Sequence, residues 1–291
     1  MKQNPSKESL RAVLGEMARA DFMEDRGDAG PAVFESAVSD SGIEVHGVRV
    51  PPSVARAAWE FLRARHGRSG WYPFLTVFGP VELVAHDRGG QPWGGGSRQL
   101  LDAALAADPE DVVSGLVHSV FREMAEIYIP PRSDDDLREI EEIRLLFDAD
   151  HTALSLCAEF SEPLPGIPRR AESMGRNMWL NLVRARGGYG IPALFPRLLQ
   201  TPNWSGYPDD RELLPADHVA VLGHWHKTHG ADFYYADSAA LDLLVKNPPR
   251  DRRAAAKAAV EQYVYCPDSI PDPESAGNGQ VGSSVWSFWW D

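Results

Sequence analysis

Apolar residues recur along this chain in short stretches whose period switches between that of a helix and that of a strand. Leu10, Val13, Leu14, Met17 and Phe22 fall near helical spacing, which predicts an amphipathic helix over residues 7–22. The polar, glycine-bearing stretch from Glu24 to Pro31 ends it as a loop. Ile43, Val45 and the run Val48 to Val50 suggest one or two strands about a turn at His46-Gly47. The next helix is clearer: Pro51-Pro52-Ser53 supplies its start, Val54, Ala57, Ala58, Phe61 and Leu62 share a face, and Gly67 is the expected stop. Trp71 to Phe78, aromatic and β-branched, then reads as a buried strand, with Pro73 placing it at a strand beginning or a sheet edge.

Asp108-Pro109-Glu110-Asp111 combines a capping carboxylate, a proline at the first helical position and acids facing the positive end of the helix dipole. The helix it opens carries Val112, Val113, Leu116, Val117, Val120, Phe121 and Met124 as its stripe and ends before Pro130-Pro131. Another starts at Asp134-Asp135-Asp136, with Leu137, Ile140, Arg144 and Phe147 on one face. Ala153 to Phe160 alternates as a strand does, and Pro163, Pro165, Gly166 and Pro168 mark a loop. Further on, Pro215-Ala216-Asp217 opens a helix whose apolar face is Val219, Val221, Leu222 and Trp225, and Gly230 closes it. Ala231 to Tyr235 and Leu241 to Val245 pair most simply as a hairpin. An alanine-rich helix follows Asp251 with Ala256, Ala259, Val260, Tyr263 and Val264 inward, and Val285 to Trp290 forms a final aromatic strand. Helix, hairpin, helix, strand is an α+β order, with helices packed on a mixed or antiparallel sheet. The length favours two domains, 1–175 and 176–291, with a soft boundary between residues 161 and 192.

Four ordered motifs in the C-terminal half carry a resemblance. They are His218-Val219-Ala220-Val221-Leu222 with Trp225-His226 and Gly230-Ala231; Pro248-Pro249-Arg250; Gln262-Tyr263-Val264-Tyr265-Cys266-Pro267-Asp268; and Val285 to Asp291. In that order the chain resembles the bacterial domain-of-unknown-function family 4253, common in actinobacteria. Residues 215–291 carry the resemblance best, and Trp71-Tyr72-Pro73 extends it backwards. It implies a fold neighbourhood and no agreed activity. Two local features depart from the family pattern: Arg252-Arg253 opens the alanine-rich helix where the dipole favours acids, and Pro271 to Ser284 reads as a flexible loop where the family implies a small helical segment.

Composition adds what periodicity does not. A hydrophobic fraction of 43% with nine tryptophans belongs to a chain that folds. A formal net charge of -13 opposes a phosphate backbone, so no nucleic-acid role is expected, and it suits solubility or a basic partner. No stretch approaches the roughly 20 apolar residues of a membrane span, and the N-terminus lacks the apolar core of a signal peptide. Cys157 and Cys266, far apart, form neither a disulfide framework nor a Cys-x-x-Cys motif. A soluble, cytoplasmic protein without a membrane segment is the expectation.

The candidate chemistry is sparse. The glycines between 89 and 96 lack the Walker and dinucleotide spacings and read as a surface loop. His218, His224, His226 and His229 cluster, but 224 and 226 point to opposite sides of a helix, so structural histidines and no metal are expected. Asp148, Asp150 and His151 read as a loop turn, and no cofactor motif appears. Cys266 would serve as a nucleophile if His226 and Asp268 lay beside it; otherwise Tyr-Cys-Pro-Asp is a helix stop with the thiol packed inward. Trp204, Tyr265, Trp286, Trp289 and Trp290 are the aromatic candidates for a binding surface. The last strand carries aromatics on both sides, so it is either a central strand covered twice or presents a contact face; the covered central strand is the expectation. The leading expectation is a non-catalytic protein-binding module, immunity or antitoxin-like. The alternatives are a cysteine-dependent hydrolase or transferase using Cys266, His226 and Asp268, and small-molecule binding in a cleft between the halves.

Overall fold

The computed structural model describes residues 34–87, 97–160, 162–168, 178–201, 204 and 212–290, with residues 12 and 14 besides. The helix expected over 7–22, the loop that follows it and the glycine-rich stretch 89–96 otherwise lie outside the described residues. Strands β1 (Phe34–Val38) and β2 (Glu44–Val50) form an antiparallel hairpin that turns at Asp40–Gly42, with Gly42 at φ 77°. The turn expected at His46-Gly47 is instead unbroken strand, where Gly47 opposes Asn181. A glycine is needed there because a Cβ would collide with the Asn181 side chain and Pro80.

Helix α1 (Pro52–Ser69) runs past Gly67 and stops at Gly70, whose left-handed φ of 73° lets its N–H donate to His66 O at 2.7 Å. Its buried stripe is Ala55, Ala58, Trp59, Leu62, His66 and Ser69, so Ala57, expected inward, faces out. Trp59 sets this rotation: its indole donates to Pro73 O and meets Tyr234 edge-on. Strand β3 (Trp71–Thr76) buries all six residues. It is the central strand of seven, so Pro73 marks neither an edge nor a strand beginning; its carbonyl is satisfied by Trp59.

Helices α2 (Pro80–Asp87) and α3 (Arg98–Ala104) lead to α4 (Pro109–Ala125), capped by Asp108 as its sequence requires. Helix α5 (Asp134–Leu146) is capped by Ser133. The strand expected over Ala153 to Phe160 is replaced by helix α6 (Ala149–Ser155) and an irregular tail. Asp148 decides this, because its carboxylate accepts from the N–H groups of Asp150 and His151 and nucleates a turn. Strand β4 (Met178–Arg184), the short helix α7 (Ile191–Leu194) and helix α8 (Pro215–His229) come next. Gly230, φ 61°, ends α8. The hairpin of β5 (Ala231–Asp237) and β6 (Ala240–Val245) is as expected, with a register shift between Phe233 and Tyr235.

Helix α9 (Arg252–Tyr265) is capped by Asp251, and Arg253 lies 3.1 Å from Asp150, which offsets the unfavourable charge at its start. Pro271 to Ser284 is no flexible loop: Asp272 caps helix α10 (Pro273–Asn278), and a 3-10 turn over Gln280–Gly282 follows. Strand β7 (Val285–Trp289) completes a single sheet of order β1-β2-β4-β3-β5-β6-β7. Every pairing is antiparallel except β3 with β5, so the sheet is mixed and the fold α+β. Strands from before and after residue 176 interleave in it, and one buried cluster runs from Ile43 to Trp290. Among the described residues no helix is long and apolar enough to cross a membrane.

Candidate functional site

The four C-terminal histidines share a helix and little else. His218 is buried, with Nδ1 2.7 Å from the Tyr265 hydroxyl, its ring edge-on to Tyr265 and Trp290, and Nε2 without a partner. Burial pushes its pKa down to about 3, so the ring is neutral. His226 lies 3.2 Å from Asp232, which also receives Arg63 at 2.8 Å. The Asp232 contact raises His226, while His226 and Arg63 outweigh burial and hold Asp232 low. His229 Nδ1 approaches Asn247 O, and burial lowers its pKa. His224 Nε2 lies 3.3 Å from Glu261. Among the described residues no three His, Cys, Asp or Glu side chains gather to hold a metal. Asp148, expected in a loop turn, is the cap of α6.

Cys266 is not beside His226. Its buried thiol donates to Trp289 O and lies 3.0 Å from Ser269 Oγ, whereas His226 contacts Asp232, Ala231 O and the Tyr189 ring. Burial, with Asp268 adding to it, pushes the thiol up to about 11, the opposite of what a nucleophile at neutral pH requires. The inward-packed helix stop is the arrangement found.

The aromatic candidates are core. Trp204, Tyr265, Trp286 and Trp290 are all fully buried, and only Trp289 is partly exposed. Trp204 donates to Val264 O, Trp286 to Val281 O and Trp290 to Tyr265 O, so each indole N–H is spent inside the protein. Trp225 stacks on Phe288 and meets Trp286 and Tyr265 edge-on beneath α8 and α9. β7 is therefore covered as expected, but as an edge strand. Its outward N–H groups are closed by side chains: Val285 donates to Ser283, Ser287 to Gln280 and Trp289 to Ser269. A groove of about 580 Å³ runs beside this edge, between it and residues 164–167, and no charged residue lines it.

A smaller cleft of about 210 Å³ opens between α4, α8 and α9, lined by Glu110, Val113, Ser114, His224, Lys257 and Glu261. Glu261 is 4% exposed; its Oε2 accepts from Trp225 Nε1 at 2.8 Å, and its Oε1 faces His224. Lys257 Nζ lies 3.9 Å from Glu110. Sequence reading missed Glu261 because it lies off the apolar stripe of the alanine-rich helix. Small neighbours let other helices approach α9 on most sides, so a position off the apolar stripe is buried too.

Residues 180–291 match the family model described as a domain of unknown function, DUF4253. This confirms the resemblance carried by the C-terminal motifs and extends it back to β4, while Trp71-Tyr72-Pro73 lies outside the match. The DUF4253 segment contains His224, Lys257 and Glu261, but the cleft they line is completed by α4, which precedes it. No curated protein and no solved structure matches the chain.

Proposed function

We propose that the protein is a non-catalytic, cytoplasmic protein-binding module that presents helix α5 to a basic protein partner, the role of an immunity or antitoxin-like protein. The supporting observation is that α5 buries no residue. Its apolar side, Ile140, Ile143 and Leu146, is only half-buried, so packing stabilises this helix less than a fully buried face would. It displays Asp134 one turn from Leu137, 53% exposed, and Glu139 and Glu142 farther round the helix, and none of the three acids has an ion-pair partner among the described residues. Ile127, 71% exposed, lies on the adjoining 3-10 turn. An exposed helix carrying unpaired acids is complementary to a basic protein surface, which the net charge of -13 also favours. Two free, unbridged cysteines accord with a reducing compartment.

The test is affinity capture from the native host at physiological salt, followed by reconstitution with the purified partner. A basic partner is expected, bound by the parent chain and lost both on Leu137→Asp and on combined charge reversal of Asp134, Glu139 and Glu142. Equal binding by these variants would sink the reading, and so would the absence of any specific partner.

A further inference from the structure

The groove beside β7 spends its polar groups on the fold. Ser269, Gln280 and Ser283 close the strand edge, Ser287 donates to Asp242, and Ser275 donates to Asp272. The cleft between α4, α8 and α9 does not. At about 30 Å³ per water, its 210 Å³ holds roughly seven waters, room for a very small metabolite. Its floor is a carboxylate held by the Trp225 indole, at a position where an apolar side chain would cost the fold less desolvation. That carboxylate faces His224 Nε2 at 3.3 Å. With the ring proton on Nε2, toward that carboxylate, His224 Nδ1 is an acceptor, and it has no partner among the described residues. The exposed Ser114 hydroxyl on the α4 side has none either. At the rim, Lys257 and Glu110 are exposed and 3.9 Å apart, too far for a hydrogen bond, so each retains capacity for a ligand of opposite charge.

A cation, an anion and a neutral acceptor around a small volume are the complement of a small zwitterion. We propose that this cleft binds a compact molecule carrying one ammonium and one carboxylate. The ammonium sits between Glu110 and His224 Nδ1, and the carboxylate meets Lys257 and the Ser114 hydroxyl. The site is separate from the α5 surface and stands or falls without it.

The probe is β-alanine, with propylamine and propionate as single-charge controls, titrated into the isotopically labelled full chain and followed by NMR. Saturable shifts at the His224 ring and Ser114 are expected with β-alanine, with roughly tenfold weaker binding of either control. Lys257→Met and Glu110→Gln should each weaken β-alanine binding several-fold, and His224→Asn should weaken it while leaving the Glu261–Trp225 bond in place. Should His224→Asn fail to fold, the two exposed rim variants carry the test. No saturable shift at about 20 mM probe, equal binding of propylamine or propionate, or unchanged affinity in both rim variants would overturn the proposal.

Discussion

His218 and His226, eight residues apart on one helix, respond to pH with opposite signs. Burial lowers His218 to about 3, so the unfolded chain takes up its proton first as pH falls below about 6.5. Its fit is fully retained above that pH and lost as pH falls toward 3, at up to about 1.4 kcal/mol per pH unit. Urea unfolding of His218→Gln should show a flatter pH dependence between pH 6 and 4 than the parent. His226 is raised by its contact with Asp232, so its contribution is present below its unfolded pKa and disappears as pH rises through the raised value. In His226→Gln the decline in stability as pH rises through that raised value should vanish. Cys266, buried and pushed up to about 11, should resist alkylation at pH 7.5 while the exposed Cys157 reacts, leaving one fast thiol per chain and none in Cys157→Ser. Fast labelling of the second thiol in the folded protein would contradict the packed helix stop. The pattern Tyr-Cys-Pro-Asp already made that stop legible, because the residue before proline is driven out of helical geometry. Ser269, three residues on, is a local partner of Cys266, but the Trp289 carbonyl was not legible, since it reaches the thiol only through the return of β7.

The elements show which local signals suffice. Asp108-Pro109 and Gly230 place the ends of α4 and α8 where the sequence puts them, because capping and positive φ are satisfied within a few residues. The expected stop of α1 at Gly67 is passed over, and the helix ends at Gly70 because His66 and Ser69 are buried against the sheet before β3 begins. Alternation misled over Ala153 to Phe160, where one aspartate cap outweighs a short strand-like pattern. The edge of β7 gives a prediction at this scale. Gln280 accepts from Ser287 N and donates to Gln262, so Gln280→Ala should cost about 1–3 kcal/mol in denaturant unfolding and, by freeing the edge, promote dimers detectable by size-exclusion chromatography. Leu137→Ser on α5, by contrast, should change stability by no more than about 0.5 kcal/mol.

At the scale of the whole molecule, the DUF4253 segment is not self-contained in the sheet. It supplies β4, β5, β6 and β7, yet β3, from residues 71–76, lies between β4 and β5 and pairs with both. A fragment spanning 178–291 should therefore unfold without a cooperative transition by circular dichroism, and co-expression with residues 1–177 should restore one. A sharp transition in the isolated fragment would show that its strands can re-pair without β3. By itself the sequence determined the α+β class, the C-terminal order of helix, hairpin, helix and strand, the likeness of residues 215–291 to DUF4253, and the burial of Trp286 and Trp290. Each of these follows from periodicity, capping or residue type over short spans. Only the tertiary structure decided that Pro73 lies in the central strand, that β7 is an edge strand closed by side chains, and that Glu261, Trp225 and His224 meet at the floor of a cleft. Those outcomes join positions that are far apart in the chain or on different helices, and local pattern does not encode which distant strand or helix arrives beside them.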